Sequence, residues 1–153
     1  MLEAIPTNFL GTNFLLQQEG QVVGELEPSL WRCKATLELE EGTYDLHREK
    51  ALGGDYLMEK NGNVVARAVK TNILRDRFAV EVGTRLMELK KMRWTSRKFV
   101  LFDGDTQVGT IAPRGLFTKR TEVDLPKEWP LANRVFMFWL VFMMWKRDNQ
   151  AAS

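Results

Sequence analysis

The segment Val135–Trp145 reads VFMFWLVFMMW, eleven consecutive apolar side chains with no charge, glycine or proline. Wound as a helix, such a run has no polar face and must be surrounded on every side, by protein or by lipid. Lipid is the poorer host, because a span takes about 18–20 apolar residues whereas a run of about 10–14 is more often a buried core helix. Asn133 and Arg134 precede the run, and Lys146, Arg147 and Asp148 follow it. Pro130 suits a first helical turn and Lys146-Arg147 the negative end of the dipole, which predicts a helix over about 130–147, about 27 Å long. A groove on a partner protein is the third host.

The rest of the chain repeats. Phe14–Leu26 (FLLQQEGQVVGEL), Tyr56–Ala68 (YLMEKNGNVVARA) and Phe99–Ile111 (FVLFDGDTQVGTI) superimpose without gaps, their starts 42 and 43 residues apart. Each passes from an aromatic residue and a short apolar run, through Glu19-Gly20, Asn61-Gly62-Asn63 or Asp103-Gly104-Asp105, into a valine-bearing return. These turns supply positive φ between paired strands, so each segment reads as a β-hairpin.

Strand-like patterning continues beyond each hairpin. Trp31, Cys33, Ala35, Leu37 and Leu39 alternate with Arg32, Lys34, Thr36 and Glu38, and Phe78, Val80 and Val82 with Arg77, Ala79 and Glu81, a period of two that puts one row in a core and the other in water. Glu41-Gly42 and Gly83-Thr84 lead into further strands at 43–48 and 85–90. After the third hairpin one strand is evident, around Phe117–Leu125. The count is about eleven over 12–125, with a twelfth near Leu2–Leu10. A period near 42 also fits propeller blades, but three copies fall short of the usual four blades and no blade contains the terminal helix. A closed sheet of about twelve strands leaves a lumen too wide for its own side chains to fill, and the apolar helix fills it. The expected fold is therefore mostly β: one domain over 1–153, a closed antiparallel barrel of about twelve strands around a buried hydrophobic C-terminal helix.

With 44% hydrophobic and 27% charged residues, the chain has the balance of an ordinary packed domain, large enough to need no disulfide or structural metal. Its single cysteine and single histidine exclude an internal disulfide and a Cys/His zinc cage. Met1–Leu10, with Glu3 and Pro6, is expected to be neither a signal peptide nor a myristoylation site, and no transmembrane span is expected. A reducing cytoplasm fits. No catalytic motif stands out.

A sheet built from these hairpins and closed by VFMFWLVFMMW resembles the tubby-like superfamily, which includes tubby C-terminal domains, LURP-one-related proteins and phospholipid scramblases. The resemblance spans about residues 10–147 and is closest to a minimal LURP-one-related protein. It implies the barrel-and-helix fold and a ligand class, phosphoinositide-like head groups met by surface Lys and Arg, with no catalytic residue and no cofactor. No acidic calcium loop of the scramblase kind comes after the last strand, so lipid scrambling is not implied.

The formal net charge of +2 conceals a division: residues 1–66 sum to −6 and 67–153 to +8, with 67–98 alone at +7. Within that window Lys90, Lys91, Arg93, Arg97 and Lys98 surround Trp94. Clustered cations attract phosphates, and an indole at their edge suits a bilayer interface or a stacked base; the plainer alternative is a solvated basic connection with Trp94 packed on the barrel rim. Arg75, Arg77, Arg114, Lys119 and Arg120 would extend the patch if they share its side. His47 falls in the polar row of its strand, Cys33 in an apolar row that disfavours its thiolate, and Glu38, Glu40 and Glu41 at the wet end of a hairpin. No metal site is expected. The expected function is a non-enzymatic binding module at the cytoplasmic face of a membrane, docking anionic phospholipid head groups through those five cations. The alternative is a regulatory scaffold that binds protein, its acidic and basic halves meeting head to tail; nucleic acid is the less favoured anion.

Overall fold

The computed structural model describes all residues except 8–12, 30–31, 51–52, 72–75, 116–119 and 153, together with the backbone but not the side chains of 150–152. Twelve strands succeed one another: β1 (Leu2–Pro6), β2 (Phe14–Gln18), β3 (Gln21–Pro28), β4 (Lys34–Leu39), β5 (Gly42–Lys50), β6 (Gly53–Lys60), β7 (Asn63–Lys70), β8 (Arg77–Val82), β9 (Arg85–Lys91), β10 (Phe99–Asp103), β11 (Thr106–Pro113) and β12 (Thr121–Asp124). Each pairs antiparallel with its neighbours in sequence, and β12 pairs with β1 to close the barrel. The expected closed barrel is therefore present. Closure leaves no free sheet edge among these strands.

The period of two sets which side chains enter the lumen. Leu2 and Ala4, Phe14 and Leu16, Ala35 and Leu37, Tyr44 and Leu46, Phe78 and Val80, and Met87 and Leu89 are all buried while their immediate neighbours are more exposed. Into this lumen runs α1 (Leu131–Ala152). Val135 through Val141 are seven consecutive residues with 0–1% exposure, which covers nearly two helical turns and leaves no side of the helix to solvent. Phe138 and Phe142 meet Phe14 of β2 edge-on at 5.0 and 5.1 Å, while Trp139 meets Tyr56 of β6 at 5.8 Å, so the helix touches well-separated staves. It extends past the expected end at 147, because Lys146, Arg147 and Asp148 find partners where it leaves the barrel. Pro130 stands just before it, its carbonyl accepting from Asn133 and Arg134 N–H.

The threefold pattern is clearer than the hairpins indicate. Pro6, Arg48 and Lys91 pair with or immediately flank the aromatic that opens each hairpin, at Phe14, Tyr56 and Phe99. The repeat thus begins one strand earlier than the hairpins, and the units are β1–β4, β5–β8 and β9–β12. The expected strand around Phe117–Leu125 is β12, and the N-terminal strand runs only over Leu2–Pro6; Leu10, Trp31 and Phe117 lie outside the described residues. Each hairpin carries a β-bulge at the same place: pairing skips Val23, Val65 and Val108. Loop bonds repeat as well, with Ser29 N–H donating to Lys34 O at 2.8 Å, Thr71 N–H to Arg77 O at 3.0 Å and Arg114 N–H to Arg120 O at 2.9 Å.

The two ends of the barrel differ. At one, strands are joined by two-residue turns, and both Glu19-Gly20 and Asn61-Gly62 have φ between 52° and 82°, the type I′ geometry that matches strand twist. The connections at the other end are mostly longer, and α1 emerges among them. Among the described residues, Glu19, Glu40, Glu41, Asp103, Asp105, Asp124 and Glu128 gather at the tight-turn end, opposed by Lys60, Arg85, Lys127 and the buried Arg134; Arg32, Lys34, Lys50, Lys70, Arg93, Arg97, Lys98, Arg114 and Arg120 lie at the long-loop end, where they outnumber carboxylates such as Glu49, Asp76 and Asp148. The antiparallel meander sorts charge by barrel end, where the sequence shows it divided between halves.

Candidate functional site

At the long-loop mouth the inward rows change from apolar to charged. On β9 the row Met87, Leu89 ends in Lys91; on β5, Tyr44 and Leu46 give way to Arg48; on β7, Ala66 and Ala68 lead to Lys70; and Asp76 precedes Phe78 and Val80 of β8. Beyond the last core layer these side chains meet the polar end of α1.

Asp76 is the centre of the cluster, its side chain only 5% exposed. The Lys91 ammonium lies 3.5 Å from one of its oxygens and the Arg147 guanidinium donates to the other. Lys91 also donates to Asp148 at 3.0 Å, and Arg147 to the second oxygen of Asp148 at 3.1 Å. Burial raises the Asp148 carboxyl, but the hydrogen bonds from Lys91 and Arg147 outweigh it and hold the group below the usual carboxylate range. The same contest raises Arg147: burial lowers it, and Asp148 and Asp76 more than compensate. For Lys70 the balance falls the other way. Burial first, then the charge of Arg147, push its ammonium below the ordinary lysine range, with Asp76 opposing and Arg48 adding.

Beside this cluster opens a cleft of about 470 Å³, walled by Asp76, Arg77, Lys90, Lys91, Arg147 and Asp148, with Trp94 at its rim. The 92–98 connection that carries Trp94 is braced by Met92 N–H to Lys98 O at 2.9 Å, Ser96 N–H to Arg93 O at 3.0 Å, and Lys98 N–H to Ser96 Oγ at 3.1 Å. The helix anchors it: Trp145 Nε1–H donates to Arg97 O at 2.9 Å, and the Arg97 guanidinium lies 4.8 Å from the Trp145 ring centre. Trp94 is 89% exposed and Met92 is exposed beside it, so the indole borders the cleft without being packed down onto the barrel.

The five cations singled out in the sequence share this mouth but not one condition. Lys91 is neutralised by Asp76 and Asp148. Lys90 sits 3.3 Å from Glu88 and 4.8 Å from the Phe102 ring centre, and Arg97 is stacked on Trp145. Arg93 and Lys98 make no ion pair among the described residues. Of the expected extensions, Arg77 borders the cleft, Arg114 pairs with Glu3 at 3.3 Å, and Arg75 and Lys119 lie outside the described residues. Asp76, Arg147, Asp148 and Lys70 are the members that strand periodicity does not single out.

No family model, curated protein or solved structure matches the chain. Among the described residues no group of His, Cys, Asp and Glu could hold a metal ion, and no helix is long and apolar enough to cross a membrane. His47 is half-buried on the outer face with Nε2 3.2 Å from Glu59, and Cys33 packs against the core.

Proposed function

We propose that the protein is a non-enzymatic binding module, of the tubby-like kind that its hairpins and terminal helix resemble, which docks its long-loop mouth on anionic phospholipid head groups. The observation that carries this reading is the braced 92–98 connection, which holds an almost fully exposed Trp94 and an exposed Met92 between Arg93 and Lys98. Solvating an indole in water is unfavourable, and an aromatic ring flanked by cations that make no ion pair among the described residues is matched by the interface of an anionic bilayer, where ring and charge are both accommodated. Each cation near such a surface is worth roughly 1 kcal/mol, so the binding is reversible and sensitive to salt.

Co-sedimentation with vesicles of phosphatidylcholine containing 30 mol% phosphatidylserine tests the reading. Retention is expected at low salt and not on pure phosphatidylcholine. It should fall at least about tenfold in Arg93→Glu/Lys98→Glu and several-fold in Trp94→Ala, with unfolding midpoints unchanged. Equal retention by both variants, or none by the native protein, overturns it.

The opposed charge of the two barrel ends supports a second reading, a scaffold whose basic mouth meets the acidic tight-turn end of another copy.

A further inference from the structure

We propose that the cleft between the start of β4 and the end of β5 is a binding site for a phosphomonoester group. It is distinct from the 92–98 connection and does not depend on the membrane reading of that connection.

The repeat itself points to it. Counting along the units, Cys33, Lys34, His47 and Arg48 of the β4–β5 junction occupy the places of Asp76, Arg77, Lys90 and Lys91 at the β8–β9 junction. The backbone confirms the equivalence, since Arg48 N–H donates to Cys33 O at 3.0 Å as Lys91 N–H donates to Asp76 O at 3.1 Å. A cleft opens at both places, of about 550 Å³ at the first and 470 Å³ at the second. What differs is one side chain. At the β8–β9 junction a buried carboxylate, Asp76, binds the inward cation Lys91; at the β4–β5 junction that carboxylate is replaced by the uncharged Cys33.

The inward cation there, Arg48, accordingly has no anion beside it among the described residues. Its guanidinium lies 5.0 Å from the Tyr56 ring centre, and its buried Nε has no hydrogen-bond partner. Arg32, Lys34 and Lys50 line the same cleft, and none of the four cations makes an ion pair among the described residues. Glu49 is the single carboxylate among the described lining residues, and it already accepts from Asp55 N–H at 3.3 Å. Arg48 is half-buried, with its Nε shut off from water; a buried donor without a partner is costly, and Arg presents donors in a fork suited to phosphate oxygens. A dianionic phosphate is the ligand whose charge and acceptor geometry match one such fork flanked by three further cations. The carboxylate that fills this role at the sister cleft is, in effect, an internal occupant.

The test restores that occupant. Binding of inorganic phosphate and of pyrophosphate is measured by calorimetry, and binding of phosphatidylcholine vesicles containing 10 mol% phosphatidic acid, whose head group is a phosphomonoester, by co-sedimentation. Cys33→Asp, which copies Asp76, should weaken binding at least tenfold, while the neutral Cys33→Asn should stay within about threefold of native. Arg48→Gln should weaken it at least tenfold, with Tyr56 and the fold monitored by near-ultraviolet circular dichroism. Sensitivity to Cys33→Asp in the calorimetric arm identifies a soluble ligand; the same sensitivity in the vesicle arm alone identifies a lipid head group. Either result supports the site. No binding in either arm, or binding that Cys33→Asp leaves unchanged or Cys33→Asn reduces equally, overturns it. Loss of retention on phosphatidylserine in Arg93→Glu/Lys98→Glu bears only on the other reading, so the two fail separately.

Discussion

Tyr44 shows how a single side chain can link the fold to pH. Buried in the inward row of β5, it donates its hydroxyl to Glu41 at 2.5 Å across the tight turn, while Lys60 lies 5.0 Å from its ring centre and donates to Glu41 O at 3.1 Å. Burial, then the bond to Glu41 and its charge, push the phenol from 10.0 up to about 12. The protonated form is the one the fold favours, so this stabilisation is complete below pH 10.0 and is lost as the pH rises through about 12. Its full size is on the order of 2 kcal/mol. The stability difference between the native protein and Tyr44→Phe, from urea unfolding, should therefore shrink between pH 10 and pH 12; a constant difference would refute the assignment. Residues of this sort were only half legible. Periodicity placed His47 outward, but the partnership of Lys91 with Asp148 joins positions 57 apart on a strand and a helix, and no local pattern encodes it. For the same reason Lys90, Lys91 and Arg97 looked as free as Arg93 and Lys98.

At the scale of elements, the bulged hairpins explain a constraint that is easily mistaken for turn chemistry. Gly24 and Gly109 come directly after the bulged Val23 and Val108, and a Cβ on either would lie 2.5 Å from a carbonyl oxygen, of Glu38 or of Asp124, and 2.5 or 2.7 Å from the side chain of Leu39 or Leu125. The middle unit has Ala66 there. It has room because Val82 stands in the place of those leucines and the β7–β8 ladder begins only at Ala68. Gly24→Ala and Gly109→Ala should each cost about 1–3 kcal/mol through backbone displacement, whereas Ala66→Gly should cost no more than about 1 kcal/mol, all read from equilibrium unfolding. A Gly24→Ala protein as stable as the native one would show that the strands part at no cost. The hairpins, the terminal helix and most strands were legible because turn residues and a period of two are local signals. The first strand was not recognised as part of the repeat: Pro6 stands where the other units carry Arg48 and Lys91, and a frame drawn from the hairpins starts after it. The helix end was misjudged because its last turns are held by ion pairs rather than by apolar periodicity.

For the whole molecule, the sorting of charge by barrel end comes from topology alone, since every second connection of an up-and-down barrel falls at the same end. The sequence revealed an acidic half and a basic half; it could not reveal that the meander redistributes both into opposed poles. A molecule so polarised should attract its own copies pole to pole. Sedimentation velocity at 20 mM salt should show assemblies larger than the monomer that dissolve by about 300 mM, where screening has shortened the reach of the charges to about 6 Å; a monomer at both concentrations argues against the scaffold reading. The central helix carries a further consequence. It comes after all twelve staves in the chain, yet every stave turns its greasy side toward it. No early portion of the polypeptide can dry its interior before this later piece is made, so a growing chain must keep a dozen half-finished strands from sticking to one another until the plug arrives. Maturation is therefore governed by a segment synthesised after every strand, and lesions that delay or shorten that segment should strand the whole protein as aggregate while leaving every strand's own sequence intact.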